Sequence, residues 1–162
     1  AERAAAEAQI AELRSAQDQL QGRLQREISR GEILVRNERG ELAVELNQDV
    51  LFAVGEAELN EGGREVLRRV AESLRALPGR KIRVAGHTDS APVVSARRER
   101  FPTNWELSTA RATSVVRFFQ DECGIPGERL IAAGYAQYAP AASNRTATGR
   151  RRNRRIELTI VR

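Results

Sequence analysis

The sequence has too little cysteine and histidine for the commonest metal sites and catalytic triads. Cys123 is the single cysteine, so it has no partner for an internal disulfide and none for a metal site. His87 is the single histidine, and one histidine without further partners builds neither a zinc site nor a Ser-His-Asp triad. We therefore expect no metal and no cofactor, and a structural role for both residues.

Long apolar runs and the usual catalytic motifs are also missing. The longest uncharged run, Leu130 to Asn144, is interrupted by Gly134 and Pro140 and is shorter than the ~20 apolar residues that span a bilayer. Ser90 and Ser108 do not stand in a nucleophile-elbow pattern, and no glycine-rich loop has phosphate-binding spacing. The sequence therefore predicts a protein that is not an enzyme and has no membrane-spanning helix.

Composition indicates a folded domain with a basic surface. Of the 162 residues 41% are apolar and 30% are charged, which is typical of a soluble folded protein rather than a disordered one. This length suits one domain plus an appendage. The net charge of +5 comes largely from arginine and favours polyanionic partners, either nucleic acid or anionic wall polymers. Charge alone leaves both partners open.

The first 30 residues have the pattern of a separate helix. Apolar residues recur there at spacings of three, seven and four: Ile10, Leu13, Leu20 and Leu24. The spacing is typical of a coiled-coil seam, but it extends over only about three heptads. Two interpretations stay open, a solvated spacer helix or a helix that pairs with a second copy in a homodimer. We predict residues 1–30 as a helical spacer and residues 31–162 as the folded domain.

From residue 31 the hydrophobic pattern predicts strands in alternation with helices. Period-two alternation indicates a hairpin, a short extended piece and three later strands, at 33–35 with 42–46, 50–52, 81–85, 130–133 and 156–161. One predicted helix begins after Asn60 and ends at Pro78 and Gly79, and the next begins at Thr103, which has capping-box spacing to Glu106. The order βαβαβ after an opening hairpin predicts an α/β sandwich with a mixed sheet and packed helices.

Asp89 and Arg111 are the pair of charged residues best placed for binding. Asp89 follows the predicted strand at 81–85, at the carboxyl end where α/β sheets usually offer ligand crevices. Arg111 lies four residues after Leu107 and therefore one turn along the same side of its helix. From spacing alone an ordinary structural ion pair between the two is the favoured interpretation.

Three motifs in a fixed order carry a family resemblance. They are GHTD at 86–89, NWELSTARA at 104–112 and NRTATGRRRNRRIEL at 144–158. Together they resemble the OmpA-like peptidoglycan-binding domain, which is an α/β sandwich. The wording NWELS, after a long insert ending in RFPT at 100–103, resembles the version found in MotB-type flagellar stator subunits.

The resemblance implies a role for both charged residues. In OmpA-like domains the aspartate of GHTD and the arginine of LSxxRA grip the diaminopimelate of the peptidoglycan stem peptide, and Asp89 and Arg111 occupy these positions. The free end of diaminopimelate is zwitterionic, so Asp89 would hold the ammonium and Arg111 would form a bidentate fork on the carboxylate. An amino acid with only one of these groups would leave a buried charge unpaired.

Five further residues are candidates for the wall of this pocket. Thr88 and Asn104 would orient the ligand, Leu107 would form the floor, and Phe52, in the stretch LFAVGEAEL, would form a side. Arg155, in the closing motif, would support the last strand and the neighbouring pocket. Each of the first four has a simpler alternative, since Asn104 would also serve as a helix cap, Thr88 would bond within its loop, and Leu107 and Phe52 would fit the core.

The arginines and the insert between the motifs remain to be assigned. Six arginines lie close together: Arg145, Arg150, Arg151, Arg152, Arg154 and Arg155. Such a cluster is typical of nucleic-acid binding, but no aromatic residues are interleaved, so we expect a solvated face and no nucleic acid. The insert at 90–103 is expected to form a lid whose charged residues beside Phe101 narrow the pocket: Arg97, Arg98 and Glu99.

The sequence thus predicts noncovalent binding of diaminopimelate-type peptidoglycan, which anchors an envelope protein to the cell wall. The expected location is the periplasm, with membrane attachment only through a segment upstream of Ala1. Two alternatives stay open: the periplasmic domain of a MotB-type flagellar stator subunit, and nucleic-acid binding through the arginine cluster.

Overall fold

Five strands and six α-helices form within residues 1–38, 40–77 and 79–161, which the computed structural model describes. The strands are β1 (Ile33–Glu38), β2 (Glu41–Asn47), β3 (Lys81–His87), β4 (Leu130–Gly134) and β5 (Arg155–Val161). The helices are α1 (Glu2–Arg23), α2 (Gln25–Ser29), α3 (Gln48–Leu51), α4 (Glu61–Arg75), α5 (Asn104–Asp121) and α6 (Ala147–Asn153). Among these helices none is long and apolar enough to cross a membrane.

The strands pair in the order β1-β2-β5-β3-β4. All neighbours are antiparallel except β3 and β4, which are parallel. The last strand is therefore central: Leu158 of β5 lies opposite Val44 of β2 on one side and Val84 of β3 on the other. The predicted α/β fold with a mixed sheet, packed helices and an N-terminal helix is confirmed.

One face of the sheet carries the apolar core. Alternate strand residues are buried under the helices: Leu42, Val44, Leu46, Ile82, Val84, Ile156, Leu158 and Ile160. Helix α4 contributes Leu67, Val70 and Leu74, and α5 contributes Val115 and Phe119. Burial of each such side chain favours folding by about 1.5–3 kcal/mol, so this face holds the helices against the sheet.

The predicted start signals of the two long helices are confirmed. The Asn60 side chain accepts a hydrogen bond from the Gly63 N–H at 2.6 Å and caps α4. At α5 the Thr103 and Glu106 side chains form the capping box, in which Glu106 Oε1 accepts from the Thr103 N–H at 2.7 Å. The hydrogen bond from the Thr103 hydroxyl is the main reason why the pKa of Glu106 is lowered.

The apolar seam of α1 packs against α4 and β1 of the same chain. Leu13, Ala16, Leu20 and Leu24 belong to the same apolar cluster as the sheet and α4, whereas Ile10 is 52% exposed. The helix predicted within residues 1–30 is broken at Leu24, where α1 ends and α2 begins. A homodimer through this seam would have to uncover these residues, and the boundary near residue 30 stays a prediction.

Two segments differ from the periodicity-based expectation. The piece at 50–52 was expected to be extended, but α3 ends at Leu51 and only Phe52 forms a bridge, to Leu59. The reason is the Asn47 side chain, which accepts from the Asp49 N–H at 2.9 Å and starts a helical turn. Helix α6 was not predicted, and Pro78, expected to end α4, lies outside the described residues.

The packing of α1 predicts that truncating Leu20 and truncating Ile10, two isomeric side chains of the same helix, have different effects on the free energy of unfolding. Leu20→Ala is expected to lower the free energy of unfolding by about 2–5 kcal/mol, because Leu20 is fully buried in the shared core. Ile10→Ala removes the same number of carbons from a largely exposed position and should cost less than about 1 kcal/mol. Urea unfolding followed by circular dichroism measures both. Equal effects of the two substitutions would contradict this packing.

Candidate binding site

The site forms where β3, β4 and α5 approach one another. At Gly86 of β3 a Cβ atom would collide with the Ser108 carbonyl oxygen, and at Gly134 of β4 it would lie 2.8 Å from Ser108 Oγ. Only residues without a side chain allow this close contact between the sheet and the helix. The contact brings the loop after β3, which begins with Thr88 and Asp89, next to the first turns of α5.

Asp89 is buried and forms an ion pair with Arg154. Its Oδ2 accepts a hydrogen bond from Arg154 Nη1 at 2.7 Å, and its Oδ1 accepts from the Ala91 N–H at 3.0 Å. Arg154 lies between α6 and β5, and its side chain is 31% exposed. The carboxylate is therefore oriented by a second arginine rather than by Arg111.

Arg111 is buried among neutral acceptors. Its Nε donates to the Glu56 carbonyl at 2.9 Å, and its Nη1 donates to Gln48 Oε1 at 2.6 Å. The guanidinium carbon lies 5.4 Å from the centre of the Phe52 ring, within cation–π range. Its Nη2 makes no hydrogen bond to the described residues.

The electrostatics of Arg111 link it to both neighbouring charges. Burial lowers the pKa of Arg111 to about 10; the carboxylates of Asp49 and Glu56 oppose this shift, and the positive charge of Arg154 adds to it. Arg154 thus contacts Asp89 and repels Arg111. Within the described residues Asp89 and Arg111 do not form an ion pair with each other, so the interpretation as an ordinary ion pair is wrong.

Thr88, Asn104 and Phe52 lie around the two charged residues. The Thr88 hydroxyl donates to the Asp89 carbonyl at 2.8 Å, and Asn104 Nδ2 donates to the Ala91 carbonyl at 3.0 Å. Thr103 rather than Asn104 caps α5, so Asn104 uses its amide to fasten the Asp89 loop. The alternative that Thr88 bonds within its own loop also agrees with this geometry.

Leu107 and Arg155 point to other contacts. Leu107 packs in a small apolar cluster beneath the insert, with Ala57, Val93 and Phe101. Arg155 lies 3.6 Å from Glu45 and 3.4 Å from Glu157, and it donates to the Ala139 carbonyl at 3.1 Å. The Arg155 side chain makes no hydrogen bond to Asp89 or Arg111 in the part of the chain that the structure describes.

The insert at 90–103 is fastened to the loop before α4. Arg97 and Arg100 lie 3.7 and 3.2 Å from the Glu56 carboxylate, and Arg98 Nε donates to the Val93 carbonyl at 3.0 Å. Glu56 also receives the hydrogen bond from Arg111 through its backbone, so the insert and Arg111 are held by the same residue. The expected opening of this insert as a lid stays a prediction.

Sequence reasoning missed three contributors, Arg154, Gln48 and Glu56. A signal existed for Arg154, because it directly precedes Arg155, which was predicted to support the last strand and the neighbouring pocket, and adjacent residues at the start of a strand point to opposite sides. For Gln48 and Glu56 no signal existed, since they contact Arg111 from sequence separations of 63 and 55 residues.

The arginine cluster is largely neutralised by carboxylates. Four of its members form ion pairs: Arg151 with Asp49, Arg152 with Glu45, Arg154 with Asp89, and Arg155 with Glu45 and Glu157. Arg150 donates to the Asn144 carbonyl at 3.0 Å. A cluster paired in this way offers a weaker positive field to a polyanion than the sequence alone indicates.

His87 is buried beside the site and makes no metal centre. Its ring stacks on Tyr135 with 4.9 Å between centroids and an interplanar angle of 7°. Burial, and secondarily the charge of Arg155, lower the pKa of His87 to about 4. Across the described residues no group of three His, Cys, Asp or Glu side chains is arranged to hold a metal ion.

Comparisons with known proteins show the family of this chain. Residues 51–154 match the profile of the OmpA family. The uncharacterised protein YtxE of Bacillus subtilis is 40% identical over 125 residues, which is 77% of this chain and 50% of that protein. The chain spans about half the length of curated relatives that it matches.

Two solved structures share the fold over most of the chain. A MotB-like protein from Desulfovibrio vulgaris superimposes with a TM-score of 0.86 at 28% identity, covering 97% of this chain and 95% of that one. The cell wall anchor of the T6SS from Pseudomonas aeruginosa superimposes with a TM-score of 0.78 at 34% identity, covering 88% of this chain and 96% of that one.

The neutral state of His87 is testable because the chain has a single histidine. Its ring resonance in NMR should titrate with a midpoint near pH 4 in the folded protein, against about 6.5 when unfolded. The unfolded state then binds the proton first, so acidification from pH 6.5 towards 4 should lower the free energy of unfolding by up to about 3 kcal/mol. The His87→Gln variant should not show this part of the loss of unfolding free energy on acidification. A folded midpoint near 6.5 would contradict the burial.

Proposed function

Because this chain belongs to the OmpA family, we propose that it binds peptidoglycan noncovalently and thereby anchors an envelope protein to the cell wall. The observation that carries the proposal is the arrangement of Asp89, Arg154 and Arg111, in which one edge of a buried guanidinium has no hydrogen-bond partner among the residues that the structure describes. The similar structure from Pseudomonas aeruginosa is a cell wall anchor, which supports the same function.

The ligand group proposed for this site is the free end of diaminopimelate, which carries an ammonium and a carboxylate on one carbon. The ammonium would bind the Asp89 carboxylate, which has oxygen lone pairs beyond those used by Arg154 and Ala91. The carboxylate would bind Nη2 of Arg111. Arg154 would contribute to the same carboxylate, because an anion between two repelling guanidinium groups relieves the repulsion that Arg111 experiences.

This arrangement supports selectivity without any covalent step. Lysine at the same position of a stem peptide supplies the ammonium but lacks the carboxylate. Arg111 would then stay buried without an anion, whereas diaminopimelate neutralises it through charge-assisted hydrogen bonds. The site would therefore distinguish diaminopimelate-type from lysine-type peptidoglycan by the group that the lysine lacks.

A MotB-type stator role is the narrower candidate. It is supported by the likeness to the MotB-like protein over 97% of this chain. In that role the same module would fix an ion channel to the wall from the periplasm. Nucleic-acid binding is less well supported, because four of the arginines that suggested it are paired with carboxylates.

The first test uses intact cell walls. Asp89→Asn is expected to reduce co-sedimentation with diaminopimelate-type sacculi at least about tenfold, since the amide keeps the shape but loses the charge that holds the ammonium. Asp121→Asn, the same change at the exposed far end of α5, serves as the control and should bind like the wild type. Circular dichroism checks that both variants are folded. Undiminished binding by Asp89→Asn would remove the pocket assignment.

The second test measures how Arg111 and Arg154 contribute to the preference for diaminopimelate over lysine. Calorimetric titration compares the stem tripeptide ending in diaminopimelate with the one ending in lysine, and the wild type should prefer the former by at least about tenfold. Arg111→Lys keeps the charge but loses the planar donors, so the preference should largely disappear, and Arg154→Gln should reduce it in part. Arg117→Lys, on the exposed side of α5, is the control. An unchanged preference in Arg111→Lys would refute the diaminopimelate assignment.

A further inference from the structure

Two exposed aromatic side chains lie beside the candidate site and have no role in the core. The chain has one tryptophan, two tyrosines and four phenylalanines. All four phenylalanines are buried: Phe52, Phe101, Phe118 and Phe119. Trp105 is 48% exposed and Tyr138 is 66% exposed, yet their rings stack on each other with 5.3 Å between centroids. Exposed large apolar side chains that cluster in this way indicate a binding surface.

Both aromatic residues are tied to the loop that carries Asp89. Trp105 follows Asn104, whose amide donates to the carbonyls of Asp89 and Ala91. Tyr138 lies in the loop after β4, where the Ala136 carbonyl accepts from the Thr88 N–H at 2.9 Å. The stacked pair is therefore fixed in place relative to the aspartate.

The loop that presents Tyr138 has a strained backbone. Ala136 has a φ of 51°, in the left-handed region that residues other than glycine seldom adopt. It is buried, and its N–H donates to Ser108 Oγ at 3.1 Å. Such a conformation persists only where neighbouring contacts hold it, and here Ser108 of α5 holds it next to the candidate site.

A cavity of about 380 Å³ is lined by the chain neighbours of the two aromatic residues, Asn104 and Gln137, and on its apolar side by Pro92, Val93 and Pro102. It lies between the insert and the first turn of α5, and its polar lining comes from Arg98, Thr103, Asn104 and Gln137. Gln137 precedes Tyr138, and its side-chain amide makes no hydrogen bond to the residues that the structure describes. Hydrogen-bonding groups next to an exposed aromatic surface suit a ligand with one apolar face and a polar rim.

We propose that Trp105 and Tyr138 form a platform for a sugar ring of the peptidoglycan glycan strand, an N-acetylated hexosamine. The inference rests on the proposed function and extends it from the stem peptide to the glycan. One face of a pyranose ring presents C–H groups, which pack on aromatic rings, while its hydroxyl and acetamido groups point outward. Here they would reach the amide of Gln137 and the guanidinium of Arg98.

The reach of the stem peptide agrees with this placement. Diaminopimelate is the third residue of the stem, which is attached to the muramic acid of the glycan. Three extended residues span at most about 11 Å. Trp105 directly follows Asn104, which contacts the Asp89 loop, so the platform begins within one residue of the pocket wall. A sugar on the platform and a diaminopimelate at Asp89 can belong to one muropeptide.

The test compares a disaccharide tripeptide with the same tripeptide without sugar. The wild type should bind the disaccharide tripeptide about 3- to 10-fold more tightly in calorimetric titration. Trp105→Ala and Tyr138→Ala should each reduce that affinity towards the value for the free tripeptide and leave the tripeptide affinity unchanged. Trp105→Phe should keep part of the gain, because it retains an aromatic plane.

Two controls make the outcomes distinct. Tyr135→Ala removes a tyrosine whose ring stacks on His87 instead of Trp105, and it should keep the full gain from the sugar. Because Trp105 is the single tryptophan, its emission should change with the disaccharide tripeptide and not with the free tripeptide. Asp89→Asn should lose both ligands.

The remaining results overturn either the sugar platform alone or the platform together with the proposed function. Equal affinity of the wild type for both ligands would refute the sugar platform and leave the proposed function standing. An equal loss of both ligands in Trp105→Ala would also refute it, because the tryptophan would then act on the peptide. Failure of the wild type to bind either ligand would refute the proposed function and the platform together.

Discussion

The buried guanidinium of Arg111 is the constraint on which the site depends. Taking an arginine out of water is costly unless an anion or good acceptors replace the lost hydration. Here the replacements are neutral, the Gln48 amide oxygen and the Glu56 carbonyl, and burial accordingly lowers the pKa of Arg111 to about 10. That value still leaves the group charged at neutral pH. The fold thus holds a positive charge in place without neutralising it, which favours an anionic ligand.

Among the described residues the opposite charge of Asp89 is not paired with Arg111, and Arg154 interacts with both. If Asp89 paired directly with Arg111, the two charges would cancel and little would be gained by binding a zwitterion. Arg154 pairs with Asp89 instead, and its own charge repels Arg111. On the proposed function, a ligand that carries both charges would satisfy all three groups, and a ligand with one charge would not. The order of charges, more than their number, would then determine what this site selects.

Much of the fold and part of the site could be predicted from the sequence. The positions of β3, α4 and β5 could be predicted because the spacing of apolar residues within each segment shows which face is buried. The Thr103 capping box could be predicted because it involves residues only three positions apart. Asp89 and Arg111 were identified through their motifs, not through geometry. The pairing of Asp89 with Arg154 could not be predicted, because it joins residues 65 positions apart. Periodicity also failed at α3, where one Asn47 hydrogen bond outweighs the strand pattern.

The packing of α1 bears on how such a module would carry load. Leu20 and Leu24 share the core with α4, and Arg69 lies 2.6 Å from Glu27 across the same contact. A force applied along α1 would therefore pass into the core instead of extending a free linker. The same core fixes α4 to β3 and α5; the Asp89 loop follows β3, and Arg111 lies within α5. This continuity would matter for an anchor. Binding to the wall would hold the protein in place only while the segment that joins the binding site to the rest of the protein stays folded.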